Sequence, residues 1–132
     1  MSGRRAACAC GRLSLVATGE PVRVSVCHCR DCQRRSGSAF AAQARFPEAA
    51  VTIAGEARRF RRVSDAGNAA DFFFCPDCGT TLYYRAPADG DLVAVAIGCF
   101  DAPDLPAPAF SVYEVRKHRW VEIVGDGIDR GE

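Results

Sequence analysis

Eight cysteines among 132 residues constrain this chain more than any other feature, because they fall into three tight groups and one singleton. Cys8 and Cys10 form C-x-C, and Cys27, Cys29 and Cys32 form C-x-C-x-x-C. Cys75 and Cys78 form C-x-x-C inside FFFCPDCGTT, and Cys99 stands apart. Neighbours this close in sequence make poor disulfides, because a bridge needs a narrow range of Cα spacing and Cβ direction. The amino-terminal stretch MSGRRAACACGRLSLVATGE lacks the apolar run of a signal peptide. The expected setting is therefore reducing and cytoplasmic, where clustered thiols bind metal or react.

Spacing then divides the sulfurs. In Phe74–Cys75–Pro76–Asp77–Cys78–Gly79 a strand feeds a tight turn, which Pro76 stiffens and which Gly79 lets exit in the left-handed region. Such a knuckle supplies two ligands, and a closed tetrahedral zinc site needs two more. Cys8 and Cys10 are the natural second pair, since alternate side chains of an extended segment point the same way. Cys8, Cys10, Cys75 and Cys78 are thus expected to form a structural site tying an N-terminal hairpin to the middle of the chain. Cys27, Cys29 and Cys32 can hold a second ion and leave one position open, the mark of a catalytic zinc. Alternatively Cys99 or a histidine closes that set into a second structural site. His28, between two of its members, is expected to point away from them. His118, in the basic stretch Arg116–Arg119, reads as solvated, and Cys99, ending the apolar run LVAVAIGC, reads as a core thiol.

The rest of the chain predicts one mostly-β domain over 1–132, with its core at about 8–124, built from many short strands. The strand segments are Leu13–Val16, Val22–Cys27, Ala39–Phe46, Val51–Ile53, Arg58–Val63 and Asp71–Phe74. Thr80–Tyr84, Leu92–Cys99, Phe110–Val115 and Trp120–Val124 complete them. One helical turn is expected at Arg30–Arg35, and Pro103–Pro108 reads as a stiff loop. No stretch approaches the ~20 apolar residues of a membrane span. The net charge of +1 gives no reason to expect a nucleic-acid partner.

These motifs in this order resemble one family: C-A-C-G at 8–11, C-H-C-R-D-C-Q-R-R-S-G-S at 27–38 and G-E at 55–56. F-C-P-D-C-G-T at 74–80, G-C-F-D-A-P at 98–103 and the late Trp120 continue the match. The chain is similar to the glutathione-dependent formaldehyde-activating family, which includes the centromere protein V group. The resemblance implies a β-tent fold of short antiparallel strands holding two zinc ions. The C-x-C and C-x-x-C pairs would hold the structural ion, and Cys27, Cys29 and Cys32 the catalytic one. It also implies a carbon–sulfur lyase that joins formaldehyde to glutathione as S-hydroxymethylglutathione. The sequence departs from the pattern at Cys99, where a small or hydroxyl residue is expected ahead of Asp101.

Three thiolate ligands make an electron-rich zinc, better suited to holding a substrate thiolate than to acting as a Lewis acid. Glutathione carries two carboxylates, so Arg30, Arg34, Arg35 and Ser36 are candidate substrate-binding residues. Arg58, Arg59, Arg61 and Arg62 read as a solvated sheet edge. Two other classes compete with the enzyme. One is a non-catalytic zinc-stabilised binding module, expected to carry a long basic or disordered extension. The other is a thiol redox enzyme on a related β scaffold, which needs a low-pKa cysteine outside the metal sites, and only Cys99 is available.

Overall fold

The computed structural model of the protein describes residues 3–64 and 67–132. Its chain begins with a hairpin, β1 (Gly3–Ala7) and β2 (Ser14–Thr18), whose turn carries Cys8 and Cys10. Then come β3 (Arg23–Cys27), helix α1 (Arg30–Ser36), β4 (Ala41–Pro47) and β5 (Val51–Ala54). Three hairpin-linked strands follow: β6 (Arg58–Val63), β7 (Ala69–Phe74) and β8 (Thr81–Arg85). β9 (Leu92–Ala96), β10 (Phe110–Val112) and β11 (Asp129–Arg130) complete the described set.

Two sheets result. The smaller has the order β1-β2-β5, and the larger β11-β10-β3-β4-β9-β8-β7-β6. The fold is mostly β, as expected, but the large sheet is mixed: β10 runs parallel to both β3 and β11. Its other pairings are antiparallel.

Strand alternation sorts the two faces of the large sheet. On one face Val24, Ala44, Phe46, Val93 and Val95 join Leu13, Leu15 and Ala17 of the hairpin in the main core, and Leu82 reaches it at the register shift between β7 and β8. Phe73 and Tyr83, opposite one another in register, stack there with centroids 4.8 Å apart. The other face carries Arg23, Ser25 and Cys27 of β3, Gln43 and Arg45 of β4, Tyr84 of β8 and Phe72 of β7, all lining one cavity. Register places Ser25 opposite Gln43 and Arg23 opposite Arg45, so polar residues neighbour polar residues across strands.

Several expected elements differ. Leu92–Cys99 is strand only to Ala96; Ile97–Cys99 is a 3₁₀ turn that swings the chain off the sheet. Phe110–Val115 is strand only to Val112, because Tyr113 takes a left-handed conformation at φ 57° before another 3₁₀ turn. Trp120–Val124 is irregular: Val121 and Ile123 are buried against Val26, while β11 takes the pairing position beside β10. Gly3–Ala7, which the sequence does not signal, is the outer strand of the hairpin.

Gly55 shows how closely β5 meets the hairpin turn. Its φ is 99°, and a Cβ there would lie 2.0 Å from the Arg12 carbonyl oxygen. Only glycine lets the chain pass so near that backbone.

Candidate functional site

Cys8, Cys10, Cys75 and Cys78 converge so that their four sulfurs all lie within 4.8 Å of one another. The Cys8–Cys10 sulfurs are 3.7 Å apart and the Cys10–Cys75 sulfurs 3.6 Å. A tetrahedron with Zn–S bonds of about 2.3 Å has sulfur–sulfur edges of ~3.8 Å, so this donor set fits a zinc-sized ion. Both pairs sit in turns. Cys8 and Cys10 are not on an extended segment, as the sequence suggested: the Cys8 amide donates to the Leu13 carbonyl and the Gly11 amide to the Cys8 carbonyl. The Cys75 knuckle has the expected form, with Gly79 at φ 80° and its amide donating to the Cys75 carbonyl. Backbone amides also face sulfur: Leu13 N–H lies 3.3 Å from Cys8 Sγ and Asp77 N–H 3.4 Å from Cys75 Sγ. Arg12 pairs with Asp77 at 3.1 Å, and the Ala9 amide donates to Thr80 Oγ1, so the two turns hold each other.

The second cluster lies at the end of β3 and the start of α1. Cys27, Cys29 and Cys32 also bring their sulfurs within 4.8 Å of one another. Among the described residues no histidine, other cysteine or carboxylate joins them as a fourth donor. Cys29 is the N-cap of α1, and its sulfur accepts from the Cys32 amide at 3.3 Å. Gly37 ends the seven-residue helix in the left-handed region. The crowded thiols share protons. Cys32 is lowered to about 5, first by the Cys27 thiol donating to it and further by Cys29 and the Arg35 guanidinium, against burial. Cys27 moves up for the complementary reason, and burial adds to it. A metal ion resolves such a conflict by replacing the shared protons.

This three-sulfur set opens on a cavity of about 570 Å³. Arg23, Arg35, Arg45 and Arg62 line it with Asp31, Asp89, Phe72, Tyr84 and Phe110. Each nitrogen of Arg45 is engaged: it donates to Asp89, Ser25 and the Tyr84 hydroxyl at 3.0, 2.8 and 3.0 Å. Arg35 lies over Phe72 at 4.7 Å.

The candidate substrate residues separate. Arg35 faces the cavity beside Cys32. Arg30 instead bonds the Gln33 side chain at 2.9 Å, and Arg34 lines a neighbouring groove with Phe60 and Phe74. The Ser36 hydroxyl caps the helix end, donating toward the Gln33 and Phe40 carbonyls and accepting from the Ser38 amide. Arg23, Arg45 and Arg62 were not singled out for the site by sequence reasoning, because only sheet order gathers them.

His28 is fully buried and faces neither cysteine set. The Ser111 hydroxyl donates to Glu114 at 2.6 Å, so it accepts from His28 Nε2, 3.0 Å away. Burial moves the ring's pKa down, which keeps it neutral. His118 is exposed, with Nε2 2.9 Å from the Gln33 side-chain oxygen. Cys99 packs against the main core near the four-sulfur set, its thiol 3.9 Å from the Thr81 carbonyl. Burial, then Cys8 and Cys78, push its pKa up, which tells against a reactive thiol.

The family described as glutathione-dependent formaldehyde-activating enzyme matches residues 3–116. The chain belongs to that family. The match spans both cysteine clusters, helix α1 and every strand of the large sheet except β11. Among solved structures, a Rhodobacter sphaeroides protein from a structural genomics programme superposes with a TM-score of 0.59 at 17% identity. The superposition covers 74% of this chain and 88% of that one, which shows a shared fold. No curated protein matches the chain. No helix among the described residues is long and apolar enough to cross a membrane.

Proposed function

We propose that the protein is a zinc-dependent carbon–sulfur lyase of the glutathione-dependent formaldehyde-activating type. It binds glutathione, or a related thiol adduct, at Cys27, Cys29 and Cys32, and acts in a reducing, cytoplasmic setting. Cys8, Cys10, Cys75 and Cys78 hold a structural zinc.

The observation that carries this reading is the unequal division of donors. Four sulfurs complete a tetrahedron, whereas three leave one position, and those three line a cavity. Bound there, zinc supplies a seat in which a substrate thiol stays ionised at neutral pH. The chain's own residues do the rest. Cys29 and Cys32, fixed by the cap of α1, and Cys27, fixed by the pairing of β3 with β4 and β10, set the direction from which a thiol enters. Arg35, beside Cys32, orients the substrate, whereas Arg34 lines the adjoining groove and Arg30 and Ser36 hold the helix. Phe72, Tyr84 and Phe110 narrow the cavity and exclude water, so the gain is mainly positioning. No protein nucleophile is required, because the substrate thiol attacks the aldehyde carbon itself.

The test is zinc content and glutathione binding in wild type against Cys29→Ser. Two ions per chain falling to one, with the fold kept and glutathione binding lost, supports the reading. Wild-type protein that binds no glutathione at millimolar concentration overturns it.

A further inference from the structure

Three guanidinium groups around the cavity each bury an Nε–H that has no hydrogen-bond partner: Arg23, Arg35 and Arg62. All three line the same space as Cys27, Cys29 and Cys32. Arg45, on the same cavity, is the matched case, with a partner on each of its nitrogens. A cavity in which buried cationic donors stay unmatched is shaped for an anion.

Two of the three stand together. Arg35 and Arg62 reach the same ring, their guanidinium carbons 4.7 and 5.0 Å from the centroid of Phe72. Cation–π attraction holds each there, but two like charges over one ring repel unless a negative group sits between them. The local acid is Asp31, whose carboxylate lies 3.9 Å from Arg62 Nε, too far for a hydrogen bond. A planar carboxylate offers two acceptor oxygens side by side, the shape that two neighbouring guanidinium edges accept. The pair also adjoins the sulfur site, since Arg35 and Arg62 line the same cavity as Cys32.

We infer that Arg35 and Arg62, braced on Phe72, form a carboxylate clamp beside the three-cysteine site, so that the preferred thiol carries an acid group close to its sulfur. This inference rests on the reading that a thiol enters that site. It makes Arg62, an edge-strand residue, a specificity determinant. Arg23 serves the far end of the cavity, on the same face of β3 as Cys27 and about 13 Å along the strand.

The test titrates the zinc-loaded protein by calorimetry with N-acetylcysteine, N-acetylcysteine amide and N-acetylalanine. The first two differ only in one carboxylate, and the third keeps the carboxylate but lacks the thiol. N-acetylcysteine is expected to bind about tenfold tighter than its amide, as a charge-assisted hydrogen bond provides. Arg62→Gln and Arg35→Gln are each expected to close that gap, and Arg62→Lys to restore part of it. Zinc content of each variant reports whether the site is intact. Equal binding of acid and amide by wild type overturns the clamp and leaves the thiol reading standing. A gap that survives in both glutamine variants also overturns the clamp. Binding of N-acetylalanine with neither thiol adding affinity keeps the clamp and overturns the thiol reading. No binding of any of the three overturns both.

Discussion

Arg45 places a charge on an inner strand of the large sheet, at 7% exposure, where its neighbours are Ala94 on one side and Arg23 on the other. It is tolerated because Asp89, Ser25 and Tyr84 take up its donors. Arg45→Met is therefore expected to lower stability by about 3 kcal/mol, read by urea unfolding, since it strands the half-buried Asp89 carboxylate. Glu114 is a second residue whose environment sets a measurable property. Its Ser111 hydrogen bond, with Arg130 beside it, holds its carboxyl below the ordinary 4.5. A depressed carboxyl stabilises the fold above its unfolded-state pKa, and that contribution fades as pH falls through the lower folded value. Thermal unfolding between pH 6 and 3 is thus expected to show wild type losing more stability than Glu114→Gln below about pH 4.5. Residue identities such as the cysteine groups and Gly79 were legible in the sequence because their chemistry depends on near neighbours. The roles of Arg23, Arg45 and Arg62 were not, since each depends on residues tens of positions away.

At the scale of elements, the short helix and the hairpin turn do most of the positioning. α1 has seven residues, and its first turn is fixed by the Cys29 sulfur accepting the Cys32 amide. Serine is a good N-cap, so Cys29→Ser removes a sulfur donor while keeping the helix start. Gly55→Ala, by contrast, drives a methyl into the Arg12 carbonyl at a φ of 99°. A loss of about 2 kcal/mol or more is expected in urea unfolding, with the three-cysteine site still able to take up metal. Strand periodicity read most of the strands correctly. It failed at Trp120–Val124, where the alternation of buried Val121 and Ile123 is real but serves packing against Val26. It missed Gly3–Ala7 because GRRAA has no β-branched or aromatic residue, and pairing with β2 decides its conformation. The parallel pairing of β10 with β3 likewise leaves no local trace.

Across the whole molecule, one sheet separates two environments. Its core face packs on the hairpin, and its opposite face holds the arginine-lined cavity. The two metal-binding clusters differ accordingly in what their loss should do. Cys75→Ser breaks the junction between the hairpin and the β7–β8 turn, and is expected to cost at least ~3 kcal/mol in thermal or urea unfolding. Cys29→Ser is expected to cost much less, so a chelator that strips both ions should reproduce the Cys75→Ser midpoint. The junction joins Cys8 and Cys10 to Cys75 and Cys78, more than sixty residues later. During synthesis the first pair leaves the ribosome seconds before the second exists, at the usual elongation rates. Through that interval two adjacent thiols wait without their partners, so the nascent protein is most open to oxidation before its own middle has been translated.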